Sequence, residues 1–566
     1  MKPQLKPYSD YANPELLDKI PLNAKTILDV GCSTGALGAA YLRRNPHCRV
    51  LGIDADEAAL EVARGRLTDV AAVNVEQTPM PFTVPEGIDC IIYGDVLEHL
   101  ADPWALLAEH AKYLSPHGTV LVCMPNVEHW SFAARLLTGT FDYEEQGLFD
   151  KTHLRWFTPR TMGNALSAAG LELSDLAPRA IPAENAEKFV QTLAPGLTAL
   201  GINPQEYFNR ASPLQFIWRA RKASAGRIEI SATMLTPQGG VSDVRVLEPI
   251  RALTTDSDAL AKVRAEDTIT PLVPELPRIA ILHRPALSGA AGLGRIRRLI
   301  DQGYLVVSEF DDHPNFMEKR GYDVEQLITF RGVHAVQTST LPLAEVLTER
   351  NPELAVFPNA VFELPAPVNF TNLDRLTFFF AALNRQADWA PYMQVLNEIA
   401  RVVGERLHFH VMFDQAFHDA LETPHKSFEP LADYATYKNA LGRAEISFMP
   451  LADTEFNRAK SDLKFIEAGA ARVIALASPV VYAGVIEDGK NGLLFRDPAE
   501  LRVSLLRLLA YPEATRRMAD AARAYVASRR MLAYQLDARL NWYRGLWARR
   551  DELNAALKAR VPELFS

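Results

Sequence analysis

The sequence predicts an α/β protein with three doubly wound units. Apolar, strand-like runs alternate with helical stretches from Thr26 to Val122, which is the pattern of a parallel sheet covered by helices. The same alternation restarts after a small polar run, Lys222–Gly226, and again from Leu376. We therefore expect four segments, the second a helical connector and linker and the last two the halves of one clefted body: residues 1–180, 181–226, 227–361 and 362–566.

Composition narrows the class of protein. The 566 residues are 48% hydrophobic and 23% charged, as in ordinary globular proteins, and the net charge of −9 argues against a nucleic-acid groove. The four cysteines fall in the first quarter without C-x-x-C spacing and are expected to be reduced core thiols. With no apolar run of membrane-spanning length and no secretory signal, we expect a cytoplasmic protein.

A glycine turn follows the first strand-like run, Ile27–Val30. Gly31 and Gly35 lie where a buried strand turns into a helix, so that backbone N–H groups can approach a ligand. Asp54 closes the next run, where a carboxylate can accept hydrogen bonds from a ribose diol. Asp29 precedes the turn and the glycines are four residues apart, which favours S-adenosylmethionine over the G-x-G-x-x-G pattern of NAD enzymes. An NAD-dependent sugar oxidoreductase remains the alternative.

Two later motifs agree with this interpretation, at Asp89–Leu100 and Leu114–Val122. Together the three motifs make residues 25–170 similar to class I S-adenosylmethionine-dependent methyltransferases, which have a Rossmann-like fold. Two positions differ from the family, with Ser33 where many members have glycine and Asn74 where an acid usually ends the third strand. The resemblance implies S-adenosylmethionine as cofactor and a binding set of Asp29, Gly31, Gly35, Asp54, Asn74 and Asp95.

Candidate bases for methyl transfer lie near the end of the fourth strand. The reaction is an in-line displacement, so the protein has to place the acceptor and take up its proton if the acceptor is a hydroxyl. Motif order puts Asp95 and His99 at the mouth of the cofactor site. The string Asp150–Phe157 adds His153 and resembles one common in methyltransferases encoded among polysaccharide-assembly enzymes. Each histidine could instead be a capping or hydrogen-bonded residue, and no metal is expected.

The second half carries a different set of motifs, at Phe456–Ala470, Arg472–Ala475 and Asp488–Phe495. On these, residues 227–566 resemble a GT-B glycosyltransferase of the retaining, nucleotide-sugar type, whose two halves are both Rossmann-like. The family's earlier glutamate is replaced by Ala459, and the glycine before the family's basic residue by Asn384. The resemblance implies a nucleotide-sugar co-substrate, with its ribose on Glu467 and its diphosphate on cationic side chains rather than a metal: Arg385, Lys460 and Lys464.

Two further segments leave alternatives open. Glu309–Pro314 is acidic and follows a strand, so it is either on the acceptor side of the cleft or structural. The helical stretch Arg529–Arg560 carries aromatic residues among arginines, which suits either contact with a membrane surface or packing onto the first half of the GT-B body.

The combined interpretation is a bifunctional enzyme of surface glycan biosynthesis. It would methylate an acceptor, expected to be a sugar hydroxyl because of the fusion, and transfer a glycosyl group to a glycan or lipid-linked oligosaccharide. The alternative is a methyltransferase whose carboxy-terminal half is a non-catalytic glycan-binding module, as the replacements at Ala459 and Asn384 would allow.

Overall fold

A computed structural model describes residues 10–179, 184–234, 240–318, 321–370 and 374–565. The chain divides into two compact units, the first running to Arg227 and including Thr254–Ala259, and the second comprising Ile228–Leu253 and Leu260–Ser566. The predicted boundary at residue 180 lies outside the described residues.

The first unit is built on a seven-stranded sheet of order β3-β2-β1-β4-β5-β7-β6. The strands are β1 Thr26–Val30, β2 Arg49–Asp54, β3 Asp69–Ala72, β4 Ile88–Gly94, β5 Leu114–Pro125, β6 Glu172–Pro178 and β7 Gln215–Arg221. The helices are α1 Pro14–Leu17, α2 Ala36–Leu42, α3 Glu57–Ala63, α4 Pro103–His110, α5 Trp130–Thr138, α6 Pro159–Ala168, α7 Glu184–Ala199 and α8 Pro204–Ala211. Strands β1 to β5 pair in parallel, which confirms the predicted Rossmann-like sheet. Their continuous apolar runs suit a sheet covered on both faces.

The predicted connector, 181–226, differs from the structure in its last part. Besides α7 and α8 it contains β7, which is antiparallel to both β5 and β6 and is buried along its whole length. The strand includes two arginines, Arg219 and Arg221, and both are buried. Arg219 donates to the carbonyl oxygens of Thr254 and Thr255, and Arg221 pairs with Asp258. The partners come from a distant segment, so local sequence does not reveal the strand.

Asp258 also holds the polar run that we predicted to be a free linker. Its carboxylate accepts a hydrogen bond from the Ser224 hydroxyl at 2.7 Å and from the Ala225 N–H at 2.6 Å. Asp258→Ala should therefore lower the free energy of unfolding of the first unit by about 3 kcal/mol, because it leaves the buried Arg221 without one of its carboxylates. Differential scanning calorimetry of the full chain measures this loss.

The matched control is Glu109→Ala, which removes one member of an exposed surface pair with Lys112. This variant should unfold at nearly the same temperature as the wild type, because exposed ion pairs contribute little to stability. An Asp258→Ala protein no less stable than the control would show that the buried pair contributes little.

The second unit contains two six-stranded sheets, of order β13-β12-β11-β10-β8-β9 and β16-β15-β14-β17-β18-β19. The strands of the first are β8 Ile228–Thr233, β9 Ala259–Val263, β10 Arg278–His283, β11 Leu305–Glu309, β12 Ala335–Thr338 and β13 Leu354–Val356. Those of the second are β14 Leu376–Ala381, β15 Leu407–Met412, β16 Lys426–Glu429, β17 Ile446–Met449, β18 Ile474–Ala477 and β19 Leu493–Leu494. Two Rossmann-like sheets in one unit confirm the predicted GT-B class of fold.

Helices accompany both sheets. The helices that precede β14 in the sequence are α9 Glu248–Leu253, α10 Gly289–Asp301, α11 Asn315–Glu318 and α12 Leu341–Thr348. Those after β14 are α13 Gln386–Trp389, α14 Met393–Val403, α15 Gln415–Ala420, α16 Tyr434–Leu441, α17 Glu455–Arg458, α18 Leu463–Ala470, α19 Pro479–Tyr482, α20 Pro498–Ala510, α21 Pro512–Arg529, α22 Leu536–Ala548 and α23 Arg550–Arg560.

The last two helices, α22 and α23, pack onto the first sheet of this unit. The Tyr543 hydroxyl donates to Gln337 on β12 at 2.8 Å, and Asn554 bonds the His334 ring at 3.0 Å. Of the two alternatives left open for this stretch, the structure favours packing onto the first half of the GT-B body, because Tyr543 and Leu546 are buried in protein. In the described part of the chain, no helix is both long and apolar enough to cross a bilayer.

Candidate functional sites

A cavity of about 480 Å³ opens at the carboxyl ends of β1, β2 and β4 in the first unit. This is the edge of an open α/β sheet at which ligands bind. The cavity brings together most of the residues predicted for the cofactor and two of the candidate bases. These are Asp29, Gly31, Asp54, Asn74, Asp95 and His99.

Asp54 ties the glycine turn to the next helix. One carboxylate oxygen accepts the Ser33 N–H at 2.8 Å and the other accepts the Asp56 N–H at 2.9 Å. Ser33 has a φ of 49°, so a serine occupies the left-handed backbone position where the family often has glycine. Each oxygen of the fixed carboxylate keeps acceptor capacity, which a diol can use.

The glycines act differently from the expectation. The N–H groups of Gly31 and Cys32 both donate to the Ile53 carbonyl, at 2.7 and 3.0 Å, so they close the turn onto β2 rather than point at a ligand. A Cβ on Gly31 would lie 2.3 Å from the Val96 side chain. Gly35 does not line the cavity; it caps α2, where an added Cβ would lie 3.0 Å from Leu67. Gly31 therefore provides space, and Gly35 is a packing position.

Two carboxyl groups of this cavity, those of Asp29 and Asp95, have raised pKa values. Burial raises the pKa of Asp29 to about 7, with the neighbouring Asp54 adding to the shift. Burial also raises the pKa of Asp95, although Arg179 and the Gln215 amide that bonds it act in the opposite direction. Sequence analysis missed Arg179 and Gln215, which lie on or beside the antiparallel strands β6 and β7.

His99 and His153 form an edge-to-face pair with ring centroids 4.8 Å apart. His99 lines the cofactor cavity and His153 lies behind it, outside the cavity wall. Burial lowers the pKa of both imidazoles. Glu98 is 1% exposed and lies within reach of both rings, with neither carboxylate oxygen hydrogen-bonded. Sequence analysis did not select Glu98, although it precedes His99 in the motif.

A second cavity, of about 360 Å³, lies between the two sheets of the second unit. It is lined by all four residues predicted for the nucleotide-sugar donor: Arg385, Lys460, Lys464 and Glu467. These residues come from the loop after β14 and from the segment around α18, which converge here although they are far apart in sequence.

The three cations predicted for the donor are held in place by neighbouring groups, and Arg245 and Arg284, which the sequence analysis missed, line the same cavity. Arg385 donates to Asp388 at 3.0 Å and to Asn457 at 2.8 Å. The residue before it, Asn384, has a φ of 54° and so takes the backbone conformation that the family's glycine would supply. Lys464 donates to the carbonyl of Ala381, and burial lowers its pKa to about 8, with Arg385 adding to the shift.

Glu467 is held by two tyrosines that the sequence analysis missed. Its carboxylate accepts the Tyr434 hydroxyl at 2.6 Å and the Tyr437 hydroxyl at 3.0 Å. Burial raises the pKa of Glu467. Both tyrosines lie on α16, whereas Glu467 lies on α18, and nothing in their local sequence identifies them as partners of this acid.

The acidic segment after β11 faces the same cavity. Asp311 accepts from Arg284 at 2.6 Å, and Asp312 lies 3.3 Å from the Lys460 ammonium. Each carboxylate thus faces a cation, which argues for a structural and charge-balancing role over a metal site at these two residues.

Comparison with known proteins identifies the first unit. A family model described as a methyltransferase domain matches residues 8–176. The ubiquinone biosynthesis O-methyltransferase of Pseudomonas paraeruginosa is 30% identical over 167 residues, which cover 28% of this chain and 69% of that protein. An uncharacterized 37.1 kDa protein of a Streptomyces fradiae transposon is 36% identical over 116 residues. The matched residues cover 20% of this chain and 33% of that protein.

Among solved structures, S. aureus TarM in complex with fondaparinux, α-GlcNAc-glycerol and UDP is similar over 47% of this chain and 55% of that one, with 13% identity and a TM-score of 0.35.

Proposed function

We propose, since this chain belongs through residues 8–176 to the methyltransferase domain family, that its first unit binds S-adenosylmethionine and methylates an oxygen acceptor. The main support for the proposal is the Asp54 carboxylate, which the Ser33 N–H holds in place. It lies in a cavity that is also lined by Asp29, Asn74 and Asp95. Asp54 would accept both ribose hydroxyls, and Asn74 would lie beside the adenine. Arg179, in the same wall, suits the carboxylate of the methionine moiety.

The acceptor would enter at the side of the cavity where Asp95 and His99 lie. In-line attack on the sulfonium methyl forms the new O–C bond and leaves the electron pair of the broken S–C bond on sulfur. The acceptor proton must then be taken up, and the side chains placed for this are Asp95, His99 and, behind them, His153.

The second unit is proposed to transfer a glycosyl group from a nucleotide-sugar to a glycan or lipid-linked oligosaccharide. Three cations and Glu467 share one cavity, so a diphosphate leaving group and a ribose can be bound together without a metal. In this proposal residues 227–361 form the acceptor side and 362–566 the donor side. A bifunctional enzyme of surface glycan assembly, working in the cytoplasm, would then methylate and extend related acceptors.

A non-catalytic glycan-binding second unit is the alternative, and one observation favours it. Ala459 replaces the family's earlier glutamate, is 4% exposed, and has its carbonyl bonded by the Thr340 hydroxyl. No carboxylate is therefore available from that position to contact a donor sugar.

Calorimetric titration of the full chain tests the proposed function directly. S-adenosylmethionine should bind the first unit and NAD should not. UDP- and GDP-sugars should bind the second unit, and one of them should be hydrolysed or transferred when acceptor glycans are added. Nucleotide-sugar binding without turnover would favour the glycan-binding alternative, and NAD binding in place of S-adenosylmethionine would contradict the methyltransferase proposal.

The pH dependence of donor binding follows from Lys464. Its pKa of about 8 without ligand should rise when a diphosphate binds beside it, so binding takes up a proton as the pH approaches and passes 8. Affinity for a nucleotide-sugar should therefore fall above pH 8, by up to about tenfold per pH unit. Burial also lowers the pKa of Lys460, and this shift acts in the same direction as that of Lys464. The pKa values of two tyrosines in the same cavity, Tyr434 and Tyr437, are raised by burial.

The matched variant is Lys464→Arg, whose guanidinium stays charged throughout this range. Its affinity should fall less steeply between pH 7 and 9 when measured by calorimetry. Identical slopes for the two proteins would show that Lys464 does not meet the diphosphate.

A further inference from the structure

We propose that Glu98, His99 and His153 bind one divalent transition-metal ion of the Zn²⁺ class beside the cofactor cavity. One potential ligand atom on each of these three side chains lies within 4.8 Å of the other two. Zinc bonds of about 2.1 Å place two tetrahedral ligands about 3.4 Å apart, so small side-chain rotations close the set. Two imidazoles and one carboxylate suit zinc better than magnesium or calcium.

Glu98 is the observation that points to a ligand. Its carboxylate is buried and neither oxygen has a hydrogen-bond partner. Ionising a buried carboxyl group that has no partner is unfavourable, and a bound cation that displaces the proton would offset this cost. The neighbouring backbone is already fixed, because the Glu98 carbonyl accepts the N–H groups of Leu154 and Arg155 at 2.7 and 3.0 Å. These bonds hold the loop that carries His153 against Glu98.

Hydrogen bonds also set the tautomer of His99. The Thr152 hydroxyl donates its one proton to Asp150 at 2.6 Å, so at 3.0 Å from His99 Nδ1 it can only accept. The Thr152 carbonyl, 3.3 Å from the same nitrogen, is likewise an acceptor. His99 Nδ1 must therefore carry the proton, which leaves Nε2 with a free lone pair. Zinc-binding histidines are commonly oriented by such an outer contact.

His153 has the same arrangement. Its Nδ1 lies 3.2 Å from the Leu148 carbonyl, which can only accept a hydrogen bond, so Nδ1 carries the proton and Nε2 is available. Both rings are thus prepared as neutral ligands, as metal binding requires.

This inference rests on the proposed methyl transfer and changes the role of His99 and His153 in it from candidate bases to metal ligands, although the sequence predicted no metal. Three protein ligands leave a coordination position open, and His99 lies in the wall of the cofactor cavity. A hydroxyl acceptor bound at that position would lose its proton to solvent or to Asp95, because a Lewis acid lowers the pKa of a coordinated oxygen. The methyl group would pass from sulfur to this oxygen, with the S–C electron pair remaining on sulfur.

The test is direct metal binding by the full chain after treatment with a chelator. Titration with Zn²⁺ should show one tight site per chain, and Co²⁺ should give visible absorption bands of a low-coordinate site. Glu98→Gln and His153→Ala should each weaken Zn²⁺ binding by more than about 100-fold, beyond the loss seen for outer contacts of metal sites. His117→Ala, which removes an exposed histidine of the same unit, should bind as the wild type does.

Equal Zn²⁺ affinity in all four proteins, or no tight site in the wild type, would overturn the inference. S-adenosylmethionine titration of the same samples verifies folding, since His153 lies outside the cofactor cavity and its variant should keep cofactor affinity. Zinc binding without S-adenosylmethionine binding would leave the metal site standing and reject the methyltransferase proposal. The reverse result would reject only the metal site.

Discussion

Replacing Asp54 with alanine should weaken S-adenosylmethionine binding by about 2 to 4 kcal/mol, or roughly 30- to 1000-fold in Kd. The carboxylate is held by the N–H groups of Ser33 and Asp56 and faces the cavity, so it is positioned before the ligand arrives. Loss of two charge-assisted hydrogen bonds to a ribose diol accounts for an effect of this size. Isothermal titration calorimetry of the full chain measures it.

Asp56→Ala is the control for local damage to the turn. Asp56 caps α3 by accepting the Ala58 and Ala59 N–H groups but does not line the cavity. This variant should lose about 1 kcal/mol of stability and keep its cofactor affinity. Wild-type affinity in a folded Asp54→Ala protein would contradict the assignment of the ribose site, and equal losses in the two variants would attribute the effect to the loop.

The fold was largely predictable because the central strands are continuous apolar runs that alternate with helical stretches. Strands such as β1 and β14 are buried on both faces, and strands of this kind can be recognised in local sequence as nearly continuous apolar runs. Strand β7 was missed because Arg219 and Arg221 look like surface residues. Their partners are distant in sequence and include Thr254, Thr255 and Asp258, so a local pattern does not reveal the strand.

The candidate sites were predictable where function depends on one backbone position or on the end of one strand. Asp54 ends β2 and Arg385 comes shortly after β14, so local sequence was enough to select both. Asp54 lines the cavity of the first unit and Arg385 that of the second. Groups that act through tertiary contacts were missed, such as the tyrosines that hold Glu467. Glu98 is a similar case, because only the fold shows that it is buried without a hydrogen-bond partner.

Removing Lys464 or Glu467 should depress glycosyl transfer by roughly 10- to 1000-fold, the range for losing one preorganised electrostatic contact. In the proposed donor site Lys464 and Arg385 meet the charge that develops on the diphosphate, and Glu467 holds the ribose from a carboxylate fixed by two tyrosine hydroxyls. Transfer from a nucleotide-sugar, measured with Lys464→Ala and Glu467→Ala, should fall while S-adenosylmethionine binding stays unchanged. EDTA should leave transfer intact, because the cations of this site are side chains.

Arg458→Ala separates a local effect from a general loss of positive charge. Arg458 lies on the neighbouring helix α17, is exposed, pairs with Asp453 and does not line the cavity. Its loss should leave transfer within about twofold of wild type, because an exposed ion pair outside the cavity contributes little. Wild-type transfer in Glu467→Ala would contradict the donor site. Loss of transfer in EDTA would instead require a metal near Asp311 and Asp312, where both carboxylates already face cations.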